Sequence, residues 1–181
     1  MNSKRLVCMP TEFISDKAIY DRVIQEMVIE ADRYVWIATA NIKDLYVKRG
    51  NKMAPFLCVL SDMIEKGISV RLLHAKEPGP NFRKDFDRFP PLVERLERML
   101  CPRVHFKSVI VDGKRAYTGS ANLTGAGMGA KSENRRNFES GILTDDPVMV
   151  NSIMNQFDQV WIGGHCEPCR RKQYCPDCPL E

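Results

Sequence analysis

His105-Phe106-Lys107-Ser108-Val109-Ile110-Val111-Asp112-Gly113, followed after five residues by Gly119-Ser120-Ala121-Asn122, is the stretch that decides how this chain of 181 residues is read. Val104 to Val111 has the composition of a strand, and Arg115 to Gly119 of a second one. The Asp112-Gly113 pair between them predicts a tight hairpin, because both residue types tolerate the positive φ such turns demand. That context explains Asp112 as a turn residue without any chemistry. Side chains alternate along a strand, so His105 and Lys107 are expected on one face with Val104 and Phe106 on the other. A nucleophile then stands beside a fixed cation. The returning strand ends at Gly119 and brings the Ser120 hydroxyl and the Asn122 amide, both neutral donors, to the same region.

Working outward, Ser15 and the spacing Ile19, Val23, Met27, Ala31 predict a helix from Asp16 to Asp32. Tyr34 to Ala38 reads as a buried strand. Pro55 opens a second helix ended by Gly67, and Ile68 to Leu73 supplies the next strand. Residues 75–90, with Pro78, Gly79, Pro80 and Pro90, read as an irregular connection. Leu92, Val93, Leu96 and Leu100 mark a third helix. Phe138 to Leu143 is a further strand, and Pro147 to Trp161 a helix with Ile153, Phe157 and Val160 inward. The alternation of strand and helix implies an α/β fold, a mixed sheet flanked by helices.

Two full catalytic domains do not fit in this length. The net charge is +4, yet Cys101 to Arg136 holds seven Lys or Arg against two acids, so the positive charge is local. An anionic substrate fits this, as does a solvated basic loop. No run approaches the ~18 apolar residues of a membrane span, and the chain is expected to be cytoplasmic.

His105-x-Lys107-x4-Asp112-x6-Gly119-Ser120-x-Asn122 resembles the HKD motif of the phospholipase D superfamily. The order of the flanking helices and strands, with Phe138-Glu139-Ser-Gly-Ile-Leu closing, extends the resemblance over residues 12–162. It implies a phosphodiesterase that needs no metal for catalysis, in which His105 forms a phosphohistidine and Lys107, Ser120 and Asn122 hold the phosphoryl oxygens. Single-motif members, such as the small bacterial nucleases and the mitochondrial type, bring two motifs together as dimers, so a homodimer is expected. Glu139 resembles the family's carboxylate that fixes the histidine's tautomer; an ordinary strand glutamate is the alternative. His74-Ala75-Lys76 repeats the His-x-Lys spacing without the rest of the motif, and His74 is read as a strand-end residue.

Gly163-Gly164 is the one convincing linker, and residues 163–181 form a separate tail. Cys166-x2-Cys169-x5-Cys175-x2-Cys178 is a pair of Cys-x2-Cys clips whose thiolates suit structural zinc, with an iron–sulfur cluster as the alternative. Arg170, Arg171 and Lys172 lie between the clips and, with Lys131, Arg135 and Arg136, are candidate phosphate contacts. These basic residues favour an endonuclease acting on DNA or RNA. A phospholipid hydrolase and a non-catalytic nucleic-acid-binding scaffold are the competing readings. No protein partner is identifiable.

Overall fold

Nine strands occur among the described residues: β1 (Glu12–Ser15), β2 (Tyr34–Thr39), β3 (Tyr46–Arg49), β4 (Lys52–Pro55), β5 (Ser69–His74), β6 (Glu97–Leu100), β7 (Lys107–Val111), β8 (Arg115–Gly119) and β9 (Ser140–Thr144). The computed structural model describes residues 11–43 and 45–180; Cys8 and the apolar stretch before Pro10 lie outside them. Seven strands form one sheet in the order β1-β9-β8-β7-β2-β5-β6, and β3 and β4 make a separate hairpin. β2, β5 and β6 are mutually parallel, while β7, β8, β9 and β1 join by antiparallel pairing.

Period-2 patterning sends the strand side chains to opposite faces, and each face has its own core. Val35, Ile37, Val70, Leu72, Val109 and Val111 face a cluster formed with the helices α1 (Lys17–Ile19), α2 (Phe56–Glu65), α3 (Pro80–Phe86) and α4 (Pro90–Arg95). Ala38, Leu73, Ile110 and Ala116 face Val150, Ile153 and Phe157 of α5 (Pro147–Trp161). Phe157 is fully buried and stacks between Trp36 and Trp161, with ring centroids 5.2 and 5.6 Å away. Burying such a ring contributes about 3 kcal/mol. The sheet is therefore covered on both sides, as an α/β fold requires.

Three elements in the first hundred residues differ from the sequence expectation. α1 runs on as a π-helix, Tyr20–Val28, with Ile19, Val23, Met27 and Ala31 buried as expected. Side-chain spacing marks the buried face of a helix but does not decide between α and π hydrogen bonding. The helix expected through Leu100 stops at Arg95; Leu96 is extended (φ −72°, ψ 119°), and β6 follows. The leucine spacing fits a helix, but pairing with β5 captures the second half, where Glu97 Oε2 and Oε1 accept from Arg71 Nε and Ser69 Oγ, each at 3.0 Å. Residues 75–90 contain α3, which Pro80 begins from a favourable first-turn position and which buries Phe82 and Phe86.

The β7–β8 turn has the expected form, with Asp112 at φ 56° and Gly113 at φ 67°. Asp112 does more than turn the chain. Its Oδ1 accepts from the backbone N–H of Arg33 and Tyr34 at 2.8 and 2.9 Å, and its Oδ2 from that of Asp32 at 3.0 Å. Burial disfavours the charge, but these three N–H donors outweigh it and hold the carboxyl below its ordinary pKa. A group depressed in the folded state contributes stability above its unfolded pKa and loses it as pH falls through the folded value. Asp112→Asn, which keeps the turn, is expected to lower unfolding stability by about 1–3 kcal/mol at neutral pH. Denaturant titrations should show the gap between the two proteins closing in acid. A gap independent of pH contradicts the assignment.

Candidate active site

Because β7 is antiparallel to β2, the start of β7 lies at the same edge of the sheet as the ends of β2, β5 and β6. Ala40 and Asn41 follow β2, Ala75 and Lys76 follow β5, and Pro102 and Arg103 follow β6. These residues line a cleft of about 540 Å³ together with Val104, His105, Asn122 and Arg171. Carboxyl ends of parallel strands are where open α/β sheets bind ligands.

His105 lies in the bend just before β7, where Val104 N donates to Cys101 O at 3.0 Å, and not within the ladder as expected. The alternation nevertheless holds through it. Val104 and Phe106 pack against the α5-side cluster, which leaves His105 exposed at the cleft. Lys107 is buried at 8% exposure; its Nζ donates to His105 O at 2.6 Å and stands 3.4 Å from His105 Nδ1. The ammonium is thus tethered beside the imidazole by the histidine's own carbonyl.

Asn122 is fixed from the β2 side. Its Oδ1 accepts from Asn41 N at 3.1 Å, and the next residue, Leu123, donates its N–H to Thr39 Oγ1 at 3.0 Å. With the amide oxygen engaged, the Nδ2 donors are the part of Asn122 available to a ligand. Gly119, paired with Lys107, sits where strands approach closely: a Cβ there would lie 2.4 Å from the Tyr117 hydroxyl and 2.5 Å from Ser140 O.

Ser120 and Glu139 are brought together, but with each other. Ser120 Oγ donates to Glu139 Oε2 and accepts from Ser140 N at 3.1 Å, while Asn137 Nδ2 donates to Glu139 Oε1 at 3.0 Å. The Glu139 carboxylate is therefore engaged by Ser120 and Asn137 and not by His105. Asp16 joins its backbone, with Glu139 N donating to Asp16 Oδ1 at 3.0 Å. His74 ends β5 with no exposed surface; its Nδ1–H donates to Lys76 O at 2.8 Å, and burial holds its pKa below the ordinary value. It cannot reach a substrate, as its sequence context suggested.

Of the candidate phosphate contacts, Arg171 alone lines this cleft, joined by Lys76 and Arg103. Lys131, Arg135 and Arg136 belong to the connection between β8 and β9. The four tail cysteines line a different cavity with Cys101, Arg103 and His165. Among the described residues, no three His, Cys, Asp or Glu side chains converge closely enough to hold a single metal ion.

Residues 23–161 match the family model described as cardiolipin synthase, PLD-like domain. The chain belongs to the phospholipase D superfamily. The mitochondrial cardiolipin hydrolase of Chlamydomonas reinhardtii is 26% identical to this superfamily member over 104 residues, which is 57% of this chain and 44% of that protein. The match thus spans less than half of that relative. Among solved structures, the phospholipase D family member Nuc from Salmonella typhimurium superposes with a TM-score of 0.60 at 15% identity, covering 83% of this chain and 93% of that one. NucT from Helicobacter pylori gives 0.55 at 17% identity, with coverages of 82% and 95%. These likenesses establish the fold, and the family model establishes the superfamily.

Sequence reasoning missed Asn41, Thr39 and Lys76. They occupy the carboxyl ends of β2 and β5, whose parallel pairing no local motif announces. A Cβ at position 119 would force apart Tyr117, Ser140 and Gly141, so Gly119→Ala is expected to cost about 1–3 kcal/mol of stability. An unchanged denaturation midpoint would contradict that close approach.

Proposed function

We propose that the chain is a metal-independent endonuclease acting on DNA or RNA. The observation that carries this reading is the cleft itself, in which His105 and the Asn122 amide share a wall with the cations of Lys76, Arg103 and Arg171, while Lys107 is held beside His105. No carboxylate lines this cleft among the described residues. Several cations spread over one cleft suit a polyanion better than one head group.

In the proposed reaction an imidazole nitrogen of His105 attacks phosphorus, forming an N–P bond as the P–O bond to the leaving oxygen breaks. His105 of a second copy donates a proton to that oxygen. Water then cleaves the N–P bond and gives its proton back to the second imidazole. Lys107 and Asn122 stabilise the charge on the non-bridging oxygens; such preorganised donors are worth roughly 3 kcal/mol each. Ser120 supports the same oxygens when it exchanges Glu139 for substrate.

A second copy would supply the second imidazole, since neither other histidine of this chain lines the cleft. The chain has three; His74 is sealed in the core, and His165 lies on the tail's cavity, away from the cleft lining. Phospholipid hydrolysis is the second reading, favoured by the cardiolipin hydrolase relative. Among the described residues no helix is long and apolar enough to cross a membrane.

Labelled single-stranded DNA, labelled RNA and cardiolipin vesicles, each with and without EDTA, separate the readings. Nucleic-acid cleavage that survives EDTA and falls by at least about 10³-fold in His105→Ala is expected. Sedimentation should show a dimer. Turnover of cardiolipin alone transfers the assignment to lipid, and full nuclease activity in His105→Ala or in a strict monomer contradicts the mechanism.

A further inference from the structure

The tail after α5 turns back onto the sheet. Leu100, the last residue of the edge strand β6, donates its N–H to Asp177 Oδ2 at 2.7 Å, and its carbonyl lies 3.6 Å from Cys175 Sγ. Both polar groups at the end of that edge are thereby taken by the tail, which protects it from pairing elsewhere.

Hydrophobic packing does not account for this docking. Tyr174 and Leu180, the tail's large apolar side chains, are exposed. The cysteines behave oppositely. Cys166, Cys169 and Cys175 are half-buried and Cys178 is buried, while most residues between them face solvent. All four line one cavity of about 380 Å³, and Cys101, one residue past β6, lines it from the domain side. The cysteines are free thiols. A segment this short that turns its sulfurs inward and its few apolar groups outward lacks the means to hold itself in place, unless the sulfurs are bound to something.

We propose that these thiols hold a metal centre that bridges the domain and its tail, with Cys101 among its ligands. A single zinc ion draws four sulfurs to about 2.3 Å from one point. The thiols here line one cavity without converging on a point, so a polynuclear iron–sulfur cluster, whose own atoms span the gap between cysteines, suits them better than a single ion. Cys101 comes from the bend that leads to His105, and Arg171, between the two Cys-x2-Cys clips, lines the cleft with His105 and Asn122. The centre therefore fixes Arg171 and Arg103 at the mouth of that cleft. This last consequence rests on the phosphodiesterase reading, whereas metal binding does not.

The full chain, purified without oxygen, is analysed for zinc, iron and acid-labile sulfide and by its visible spectrum, alongside Cys175→Ser, Cys101→Ser and, as control, Cys58→Ser. Wild type and the control are expected to carry iron and acid-labile sulfide with broad visible absorption, and stoichiometric zinc in their place would overturn the cluster. Cys175→Ser and Cys101→Ser should lose most of the metal and become at least tenfold more susceptible to trypsin at Arg170, Arg171 and Lys172. Wild-type protein free of both metals overturns the centre, and full metal retention in Cys101→Ser overturns the bridge. Neither result depends on turnover, so failure here is distinct from failure of the nuclease assignment.

Discussion

The carboxylate of Asp112 is the constraint on which the site depends. It receives the N–H groups of Asp32, Arg33 and Tyr34 at the entrance to β2 while its own backbone turns the β7–β8 hairpin. One side chain thereby locks the hairpin to its neighbour in a single register, Val35 opposite Val111 and Ala38 opposite Ser108. A shift of one residue would send Lys107 to the opposite face. Five residues of strand carry that register about 17 Å to the other end of the sheet, where Lys107, Gly119 and the end of β2 meet. The motif's aspartate is remote from the chemistry and yet sets where the chemistry stands.

At that end the sheet changes character, from parallel pairing through β2 and β5 to antiparallel pairing through β7 and β8. The ends of the parallel strands and the start of β7 fall on one edge, so a cleft forms without a dedicated domain. Its donors are held before any ligand arrives. Lys107 is anchored to His105 O, and Asn122 to Asn41 and, through Leu123, to Thr39. Donors held in place need no reorganisation when charge develops on phosphoryl oxygens, which is the condition under which they stabilise a transition state most. The proposed reaction rests on the superfamily to which the chain belongs, and the proposed polyanionic substrate on the cationic lining of the cleft.

Much of this was legible in the sequence, for identifiable reasons. The Asp-Gly turn, the β7 and β8 strands and the extent of α5 follow from local chemistry and clear periodicity, and the alternation of Val104, His105, Phe106 and Lys107 held even where the ladder had not begun. What sequence concealed was non-local. Leu92, Leu96 and Leu100 satisfy a helix until β5 offers Glu97 a parallel partner with Arg71 and Ser69. Glu139 stands at the expected position in the chain, but its neighbour in space is Ser120. Asn41 carries no motif and Lys76 only a His-x-Lys fragment without its context, and both matter because β2 and β5 end side by side. The tail's cysteines were visible as clips, whereas the approach of Cys101 and the placing of Arg171 at the cleft depend on how the tail folds back.

The central claim is that His105 bonds covalently to phosphorus, and rapid acid-free quenching of the enzyme with a labelled phosphodiester, followed by mass spectrometry of the peptide containing residue 105, tests it most directly. The account predicts a phosphoryl adduct on His105, stable in base and labile in acid, that forms and decays at rates competent for turnover. Turnover that proceeds with no adduct on His105, or with the adduct on another residue, would contradict it.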